Sequence, residues 1–273
     1  MQYLYVNRFS ITKNNILICV LFCRLGRSEC LEDLWIAGEF DISGIKYSEL
    51  AKKESERLAN EAQLAIDSSF YAKDSCTFIT FLNARSLRKH QQDIMNDPEL
   101  MKSAILGIAE THLNEYEEVH LEGFEGSFVN GGKGKGVAAF IKIPIIASTK
   151  TLHPSFSAIL LELENIKIAF VYMASQTNME EVNLYLGPML QDKEKPTIIF
   201  GDMNFHFTEK QHQLKSFFED LGFQQIIDKV THDEGHTIDH IYTSDLRIVS
   251  KENVFLKTLY FSDHDALSIR FEN

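Results

Sequence analysis

Eight short runs rich in Ile, Val and Phe follow residue 74, and they constrain the fold more than any other feature. Several runs carry apolar residues on both faces, as in TFITFLN and TIIFGD, which is typical of strands buried under a second layer. The pattern therefore predicts a sheet-centred core with a second layer over the strands. The predicted strands span 77–83, 104–110, 136–143, 158–164, 167–173, 197–202, 237–243 and 266–272.

Helical patterns lie between these runs at 86–97, 178–190 and 208–223. Thr208 is a candidate N-cap for the third helix, and Gly222 lies at its C-terminal side. Strands alternate with helices, but several strand pairs also follow one another directly. This order favours a mixed α/β sandwich over a purely parallel sheet.

Composition narrows the class of protein further. The chain has 273 residues, 44% of them hydrophobic, which is enough for a full-sized core. No apolar run reaches the roughly 18 residues of a membrane span. The run at 16–23 lacks a small-residue cleavage pattern after it, so the sequence predicts an intracellular protein rather than a secreted one.

The cysteines and the net charge exclude two further classes. Three of the four cysteines lie in the first 30 residues without a C-x-x-C pair, which predicts free thiols rather than a disulfide framework or a zinc module. A formal net charge of −12 opposes nonspecific binding to a polyanion. A phosphate-ester substrate would therefore require a cation at the site.

Polar side chains with catalytic potential stand at the ends of the predicted strands. Each alone is a common turn or capping residue, and GDMN in isolation favours that structural interpretation. Together they form an ordered set beside the loops where a layered sheet binds ligands. The set consists of Asn83, Glu110, Tyr172, Asp202, Asn204, Asp239, Asp263 and His264.

In this order the set resembles the endonuclease/exonuclease/phosphatase family of metal-dependent phosphodiesterases. The family pattern of an early Asn, a strand-ending Glu, a Tyr, G-D-x-N, I-D-x-I and S-D-H matches the chain from about Thr77 onward. FLNARSLRKH, ILGIAETHL, GVAAFIK and SDHDAL are most similar to the endonuclease domains of non-LTR retrotransposons. The resemblance implies a DNase I-like four-layer α/β sandwich, in which two packed mixed β-sheets are flanked by helices.

The resemblance also implies a role for each residue of the set. Glu110 is expected to be the principal Mg²⁺ ligand, with Asn83 and Asp263 near the metal, and Mn²⁺ is an alternative cation. Asp202 is expected to orient or deprotonate the attacking water, and Asn204 and Tyr172 to contact the scissile phosphate.

His264 is expected to donate to that phosphate while Asp239 holds its imidazole. Such a site needs carboxylates, an amide and an imidazole because phosphodiester hydrolysis requires charge neutralisation, an oriented water and hydrogen-bond donors. The family often has Pro where this chain has Ala266, a change that removes no reactive atom.

The resemblance implies a Mg²⁺-dependent DNA endonuclease that nicks DNA, derives from a transposable element and works in the nucleus. Two alternatives stay open: a phosphatase or lipid phosphodiesterase of the same family, and a catalytically silent module that binds DNA. The sequence does not determine the oligomeric state.

Residues 1–74 are predicted to be a separate segment that precedes the domain at 75–273. CRLGRSECLEDLWIAGEFDISGIKYSELAKKESERL resembles the C-terminal tail of Pif-type DNA helicases, as found in some Helitron transposons, and 48–66 reads as a helix with Ser48 as a possible N-cap. No Walker A sequence accompanies it, so it is interpreted as a remnant rather than a complete domain.

Three weaker signals favour structural interpretations. GGKGKG at 131–136 lacks the G-K-[ST] ending of a phosphate-binding loop and leads into a strand, so we expect a flexible turn whose Lys133 and Lys135 lie near DNA phosphates. His232, His236 and His240 fall four residues apart, but Gly235 and the alternation of TIDHIYT oppose a zinc-binding helix. The glutamates of 115–125 are expected to form a solvated loop.

Overall fold

Twelve strands in two sheets account for most of the chain that the structure, a computed structural model, describes, namely residues 76–206 and 213–272. The first sheet has the order β11-β12-β1-β2-β4-β3, and the second has the order β5-β6-β7-β8-β10-β9. The strands of the first sheet are β1 (Cys76–Asn83), β2 (Ile105–Ala109), β3 (Glu125–Val129), β4 (Val137–Ile141), β11 (Val254–Lys257) and β12 (Ala266–Glu272). Those of the second are β5 (Ala147–His153), β6 (Phe156–Glu162), β7 (Lys167–Met173), β8 (Thr197–Asp202), β9 (Gln224–Gln225) and β10 (Asp239–Thr243).

Within the described residues each sheet contains one parallel pair at its centre. β1 pairs with β2 in parallel, with Asn83 opposite Ala109, and β7 pairs with β8 in parallel, with Tyr172 opposite Asp202. The remaining pairs are antiparallel, including β1 with β12 and β8 with β10. The carboxyl ends of parallel strands meet at one edge, so the strand-end side chains of each sheet are brought together there.

Three apolar clusters fill the spaces between four layers. The central cluster lies between the two sheets and includes Phe81, Phe170 and Phe200, whose ring centroids are 5.6 to 6.4 Å apart. The other two clusters lie on the outer faces of the sheets, where helices cover them. This arrangement explains the fully apolar runs, because the central strands contact a layer on each side.

The helices of the outer layers are short. α1 (Leu87–Asn96) and α2 (Pro98–Lys102) cover the first sheet, and Asp97 caps α2 by accepting from two backbone N–H groups. The second sheet is covered by α3 (Met179–Glu181), a π-helical turn (Val182–Leu186), α4 (Gly187–Leu190) and α5 (Gln213–Asp220). No helix in the described part of the chain is long and apolar enough to cross a membrane.

The predicted fold class is confirmed: two packed mixed β-sheets are flanked by helices. The sequence did not predict β3, β5, β9 or β11. β5 is mostly exposed and polar, and β9 has two residues, so neither carries the apolar signature of a buried strand. Glu125 was assigned to a solvated loop, which is wrong, because it begins β3.

Helix boundaries also differ from the prediction. The helix predicted at 86–97 ends at Asn96, because Pro98 begins a second helix with Asp97 as its cap. The helix predicted at 178–190 is interrupted by the π-helical turn at Val182–Leu186. The Thr208 N-cap and everything predicted for residues 1–74 lie outside the described residues, whereas Gly222 does follow α5, with a φ of 82°.

The contact between the sheets generates a stability prediction at Gly107. A Cβ added there would lie 2.1 Å from Phe170 Cδ1, so Gly107→Ala forces the ring to move within a close-packed core. We expect a loss of about 1–3 kcal/mol in the free energy of unfolding, measured by urea denaturation.

Two variants test whether the clash with Phe170 causes the loss of stability. Gly107→Ala/Phe170→Leu should recover part of the loss, because the smaller side chain relieves the clash, and Ser148→Ala on exposed β5 should stay within about 0.5 kcal/mol of the unmodified chain. Full stability of Gly107→Ala would contradict the described packing.

Candidate active site

All eight residues of the predicted set come from one edge of the sandwich. Asn83 and Asp202 end β1 and β8, Glu110 follows β2, and Tyr172 is the penultimate residue of β7. Asn204 follows β8 by two residues. The antiparallel strands β10 and β12 start at this edge, which places Asp239, Asp263 and His264 there.

Asn83 joins carboxylates from the two sheets. Its Nδ2 donates to Glu110 Oε1 at 3.0 Å and to Asp202 Oδ2 at 2.9 Å. Its Oδ1 accepts from the backbone N–H of Arg85 at 2.9 Å. In this orientation the amide N–H₂ of Asn83, rather than its oxygen, faces Glu110, the predicted principal metal ligand, and Asp202.

Asp202 is fully buried in a crowded acidic environment. Burial, followed by the negative charge of Asp239, raises the pKa of Asp202 well above the ordinary range, while the charge of His264 opposes the rise. Its Oδ1 accepts from the backbone N–H of Asn204 at 3.0 Å. The Asn204 side chain donates to Met173 O at 2.8 Å, which leaves its second amide hydrogen for another acceptor.

Asp239 and His264 form a buried pair at the same edge. Asp239 Oδ2 lies 2.8 Å from His264 Nδ1, and the side chains are 1% and 6% exposed. Although burial lowers the pKa of His264, the hydrogen bond and charge of Asp239, with the charges of Asp202 and Asp263, raise it to about 9. Nδ1 thus carries a proton, and Nε2 faces Asn83 Nδ2 at 3.5 Å.

Asp263 lies on the histidine side of the site. It forms an ion pair with Arg85, and its Oδ2 is 3.6 Å from His232 Nε2. Its Oδ1 is buried, has no hydrogen-bond partner among the described residues, and lies 3.9 Å from His264 Nε2.

Tyr172 lies opposite Asp202 in the pairing of β7 with β8 and is 7% exposed. Burial, with smaller effects from the charges of Glu110 and Asp202, raises the pKa of the phenol far above its usual value. The hydroxyl therefore stays protonated and is available as a hydrogen-bond donor.

The backbone at this edge adopts an unfavourable conformation at several non-glycine residues. Glu110, His112 and Asn204 have φ values of 48°, 55° and 50°, and Arg85 has a φ of 48°. Each such residue costs about 1 kcal/mol or more. These are four of the five described non-glycine residues with positive φ, so the strain is concentrated where the catalytic candidates meet.

Three residues beside the set were not assigned a role from the sequence. His112 Nε2 is 3.2 Å from Glu110 Oε2, Ser262 Oγ donates to Asn83 O at 2.7 Å, and Thr231 Oγ1 accepts from Asp239 N at 3.1 Å. His112 and Ser262 lie within the motifs ETHL and SDH, so position in a motif was the available signal. Thr231 had none, because its neighbour in space is eight residues away in the chain.

The donor set fits a hard divalent cation. Glu110, Asp202 and Asp239 bring carboxylates into a small region, and one oxygen of Asp239 is buried without a hydrogen-bond partner among the described residues. Carboxylate and amide oxygens are the ligands that Mg²⁺ and Mn²⁺ prefer. Asp202, Asp239 and His264 offer ligand atoms within 4.8 Å of one another.

The comparisons define the class of protein. Residues 82–264 match the model of the Endonuclease/Exonuclease/phosphatase family, which is more than half of the chain, so the chain belongs to that family. The nucleases and phosphatases of this family are hydrolases, and the residues described above occupy the matched region.

Solved structures share the fold. The 3′ phosphatase NExo from Neisseria, bound to a product DNA hairpin, aligns with a TM-score of 0.57 at 14% identity and covers 72% of this chain and 100% of that one. The endonuclease domain of TRAS1, a telomere-specific non-LTR retrotransposon, aligns with a TM-score of 0.56 at 14% identity over 72% of this chain and 98% of that one. An AP endonuclease from Archaeoglobus fulgidus aligns with a TM-score of 0.56 at 17% identity over 72% and 100%.

One curated relative matches over a shorter stretch. The chain is 29% identical over 121 residues to Protein RRP6-like 3 of Arabidopsis thaliana, which is 42% of this chain. The chain spans only 13% of the length of that protein, so the match does not transfer the activity of the whole relative.

The Asp239–His264 pair generates a pH prediction. Asp239→Asn removes the charge that favours imidazolium, so we expect the pKa of His264 to fall by roughly one unit or more in the metal-free protein. The measurement is an NMR titration of the imidazole, and Asp220→Asn, at an exposed position of α5, is the control that should leave the pKa of His264 near 9.

The raised pKa of His264 also makes the stability of the fold depend on pH. Because the folded pKa of about 9 exceeds the ordinary 6.5, charged His264 stabilises the fold fully below pH 6.5, and this contribution is lost as pH rises through 9. Asp239→Asn should flatten that decline. An unchanged pKa of His264 in Asp239→Asn would contradict the described pairing.

Proposed function

We propose that the chain is a Mg²⁺-dependent DNA endonuclease that nicks DNA and derives from a transposable element. The observation that carries the proposal is the hydrogen-bonded network at the sheet edge, in which Asn83 contacts Glu110 and Asp202 while Asp239 contacts His264. This network contains each kind of group that phosphodiester hydrolysis needs.

Cation binding and activation of water fall to different residues in the proposed reaction. Glu110, with Asn83 and Asp263 near it, would hold the cation, which supplies charge neutralisation at the phosphate. Asn83 would use its oxygen for this purpose after rotation of the amide, because its N–H₂ faces the carboxylates in the structure. Buried Asp202 orients and deprotonates the attacking water, and its raised pKa suits a general base.

Three donors face the phosphate. Tyr172 donates its phenolic proton, since its pKa is raised, and Asn204 donates the amide hydrogen that Met173 does not use. His264 donates through Nε2, because Asp239 holds Nδ1 and keeps the ring positively charged.

DNA as the substrate is supported by cationic side chains beside the site. The loop at 131–136 lies next to Glu110, because Lys135 O accepts from His112 N at 3.0 Å and Gly136 O accepts from Thr111 N at 3.4 Å. Lys133 on this loop is exposed, and the Arg85 side chain is 57% exposed. In a chain of net charge −12 these positions are suited to phosphate contacts.

The solved neighbours support the same substrate and one alternative. The TRAS1 structure is that of an endonuclease domain, and NExo is a 3′ phosphatase bound to product DNA. A DNA 3′ phosphatase is therefore the second candidate function, and it shares the proposed centre. Nuclear localisation is part of the endonuclease proposal, because a transposon-derived nuclease meets its DNA there.

The central prediction concerns Asp202 and Glu110. Asp202→Asn should lower Mg²⁺-dependent nicking of supercoiled plasmid by about 10²- to 10⁴-fold, because the amide cannot take a proton from water. Glu110→Gln should instead weaken cation affinity, so that raising Mg²⁺ restores part of its nicking but none of that of Asp202→Asn.

Controls make the result specific. Glu122→Gln, an exposed glutamate outside the network, should nick like the unmodified chain, and thermal unfolding should show that both site variants are folded. Equal nicking by Asp202→Asn and the unmodified chain would reject the mechanism. Release of phosphate from 3′-phosphorylated oligonucleotides without nicking would favour the phosphatase.

A second prediction concerns residues 1–70. Because every described site residue and strand lies beyond them, deletion of 1–70 should leave cooperative thermal unfolding and nicking close to those of the full chain. Loss of the cooperative transition on deletion would show that this segment belongs to the core.

A further inference from the structure

His232 lies against the active site although no role in the proposed reaction falls to it. Its ring packs edge-on against His264, with centroids 4.7 Å apart, and its Nε2 is 3.6 Å from Asp263 Oδ2. His232, Asp263 and His264 offer ligand atoms that all lie within 4.8 Å of one another. We refer to these three residues as the histidine cluster.

Backbone hydrogen bonds hold the histidine cluster in place. His232 forms isolated β-bridges with His236 and His264. Asp233 N donates to Asp263 O at 2.9 Å, and Asp265 N donates to Thr231 O at 2.8 Å. The segments that carry the three side chains are therefore paired along their backbones, so the ligand atoms are positioned before any ion arrives.

The four-residue spacing in the sequence singles out a different set, namely His232, His236 and His240. His240 is fully buried, with its two ring nitrogens 3.1 Å from Tyr242 Oη and 3.0 Å from Thr237 O, so both are already engaged. The ring of His236 is 6.5 Å from that of His232. Asp263 and His264, rather than these two histidines, offer ligand atoms close to those of His232.

The donor atoms suit a borderline transition metal. The Nδ1–H of His264 is held by Asp239, a carboxylate–histidine arrangement that orients Nε2 as a ligand. Asp263 Oδ1 is buried without a hydrogen-bond partner among the described residues. Two imidazoles and one carboxylate match the ligands of Zn²⁺, whereas Mg²⁺ prefers oxygen ligands.

We propose that the histidine cluster is an inhibitory Zn²⁺ site, which takes the Nε2 of His264 away from the scissile phosphate while the carboxylate of Glu110 stays available to Mg²⁺. The binding half of this proposal stands on the cluster alone. The inhibitory half rests on the nuclease function proposed above.

Binding has costs that the surrounding charges offset. Ligation by His232 Nε2 puts the ring proton on Nδ1, which gives up the hydrogen bond from Glu234 N at 3.2 Å. It also displaces the Nε2 proton of His264, and Arg85 remains paired with Asp263 Oδ2. The carboxylates around His264 that favour one positive charge there favour the double charge of Zn²⁺ more strongly.

The direct test is binding of Co²⁺, a spectroscopic substitute for Zn²⁺, to the full chain in excess Mg²⁺. We expect visible absorption bands of nitrogen-ligated Co²⁺ that Zn²⁺ abolishes, and at least a tenfold weaker affinity in His232→Gln. His120→Gln, an exposed histidine outside the cluster, should bind Co²⁺ like the unmodified chain. Thermal unfolding with and without Zn²⁺ confirms that His232→Gln is folded and reports its lost stabilisation.

Nicking assays then test the inhibition. Zn²⁺ added at constant Mg²⁺ should inhibit the unmodified chain and His120→Gln, and His232→Gln should need at least ten times more Zn²⁺ for the same fractional loss, each measured against its own rate in Mg²⁺. Equal Co²⁺ affinity and equal Zn²⁺ sensitivity of His232→Gln would overturn the site. Binding that depends on His232 in a chain that does not nick would reject the proposed function and retain the site.

Discussion

Two hydrogen bonds between the sheets organise the described domain at its functional edge. Asn83 at the end of β1 donates to Asp202 at the end of β8, and Asp239 at the start of β10 contacts His264 just before β12. Each bond joins a residue of one sheet to a residue of the other, and each partner is almost fully buried. The geometry of the site therefore depends on how the two sheets pack, and the site in turn ties their edges together.

This edge is less favourable in energy than the core below it. Asp202 and Asp239 are buried close enough that one raises the pKa of the other, and four residues around them adopt a left-handed backbone. Such charge and strain persist only where the surrounding structure is stable. The aromatic contacts between the sheets and the helix-covered outer faces supply that stability.

His264 connects the reaction and its proposed regulation. One ring nitrogen is committed to Asp239, and the other faces both the amide of Asn83 and the carboxylate of Asp263. A phosphate oxygen and a transition-metal ion would compete for the same nitrogen. The oxygen-rich side around Glu110 and the nitrogen-rich side around His232 thereby favour different cations within one site.

The sequence by itself determined the layered fold, and it named the candidate residues that meet at the sheet edge. Fully apolar runs require strands covered on both faces, and polar residues at their ends require an exposed edge, so both follow from local patterns. The sequence did not predict exposed β5 or the two-residue β9, because their residues lack the apolar pattern of a buried strand. Only the tertiary structure decided the orientation of the Asn83 amide and which histidine lies beside Asp263. It also decided how strongly the charge of Asp239 raises the pKa of Asp202. These properties depend on distances between residues up to 119 positions apart in the chain.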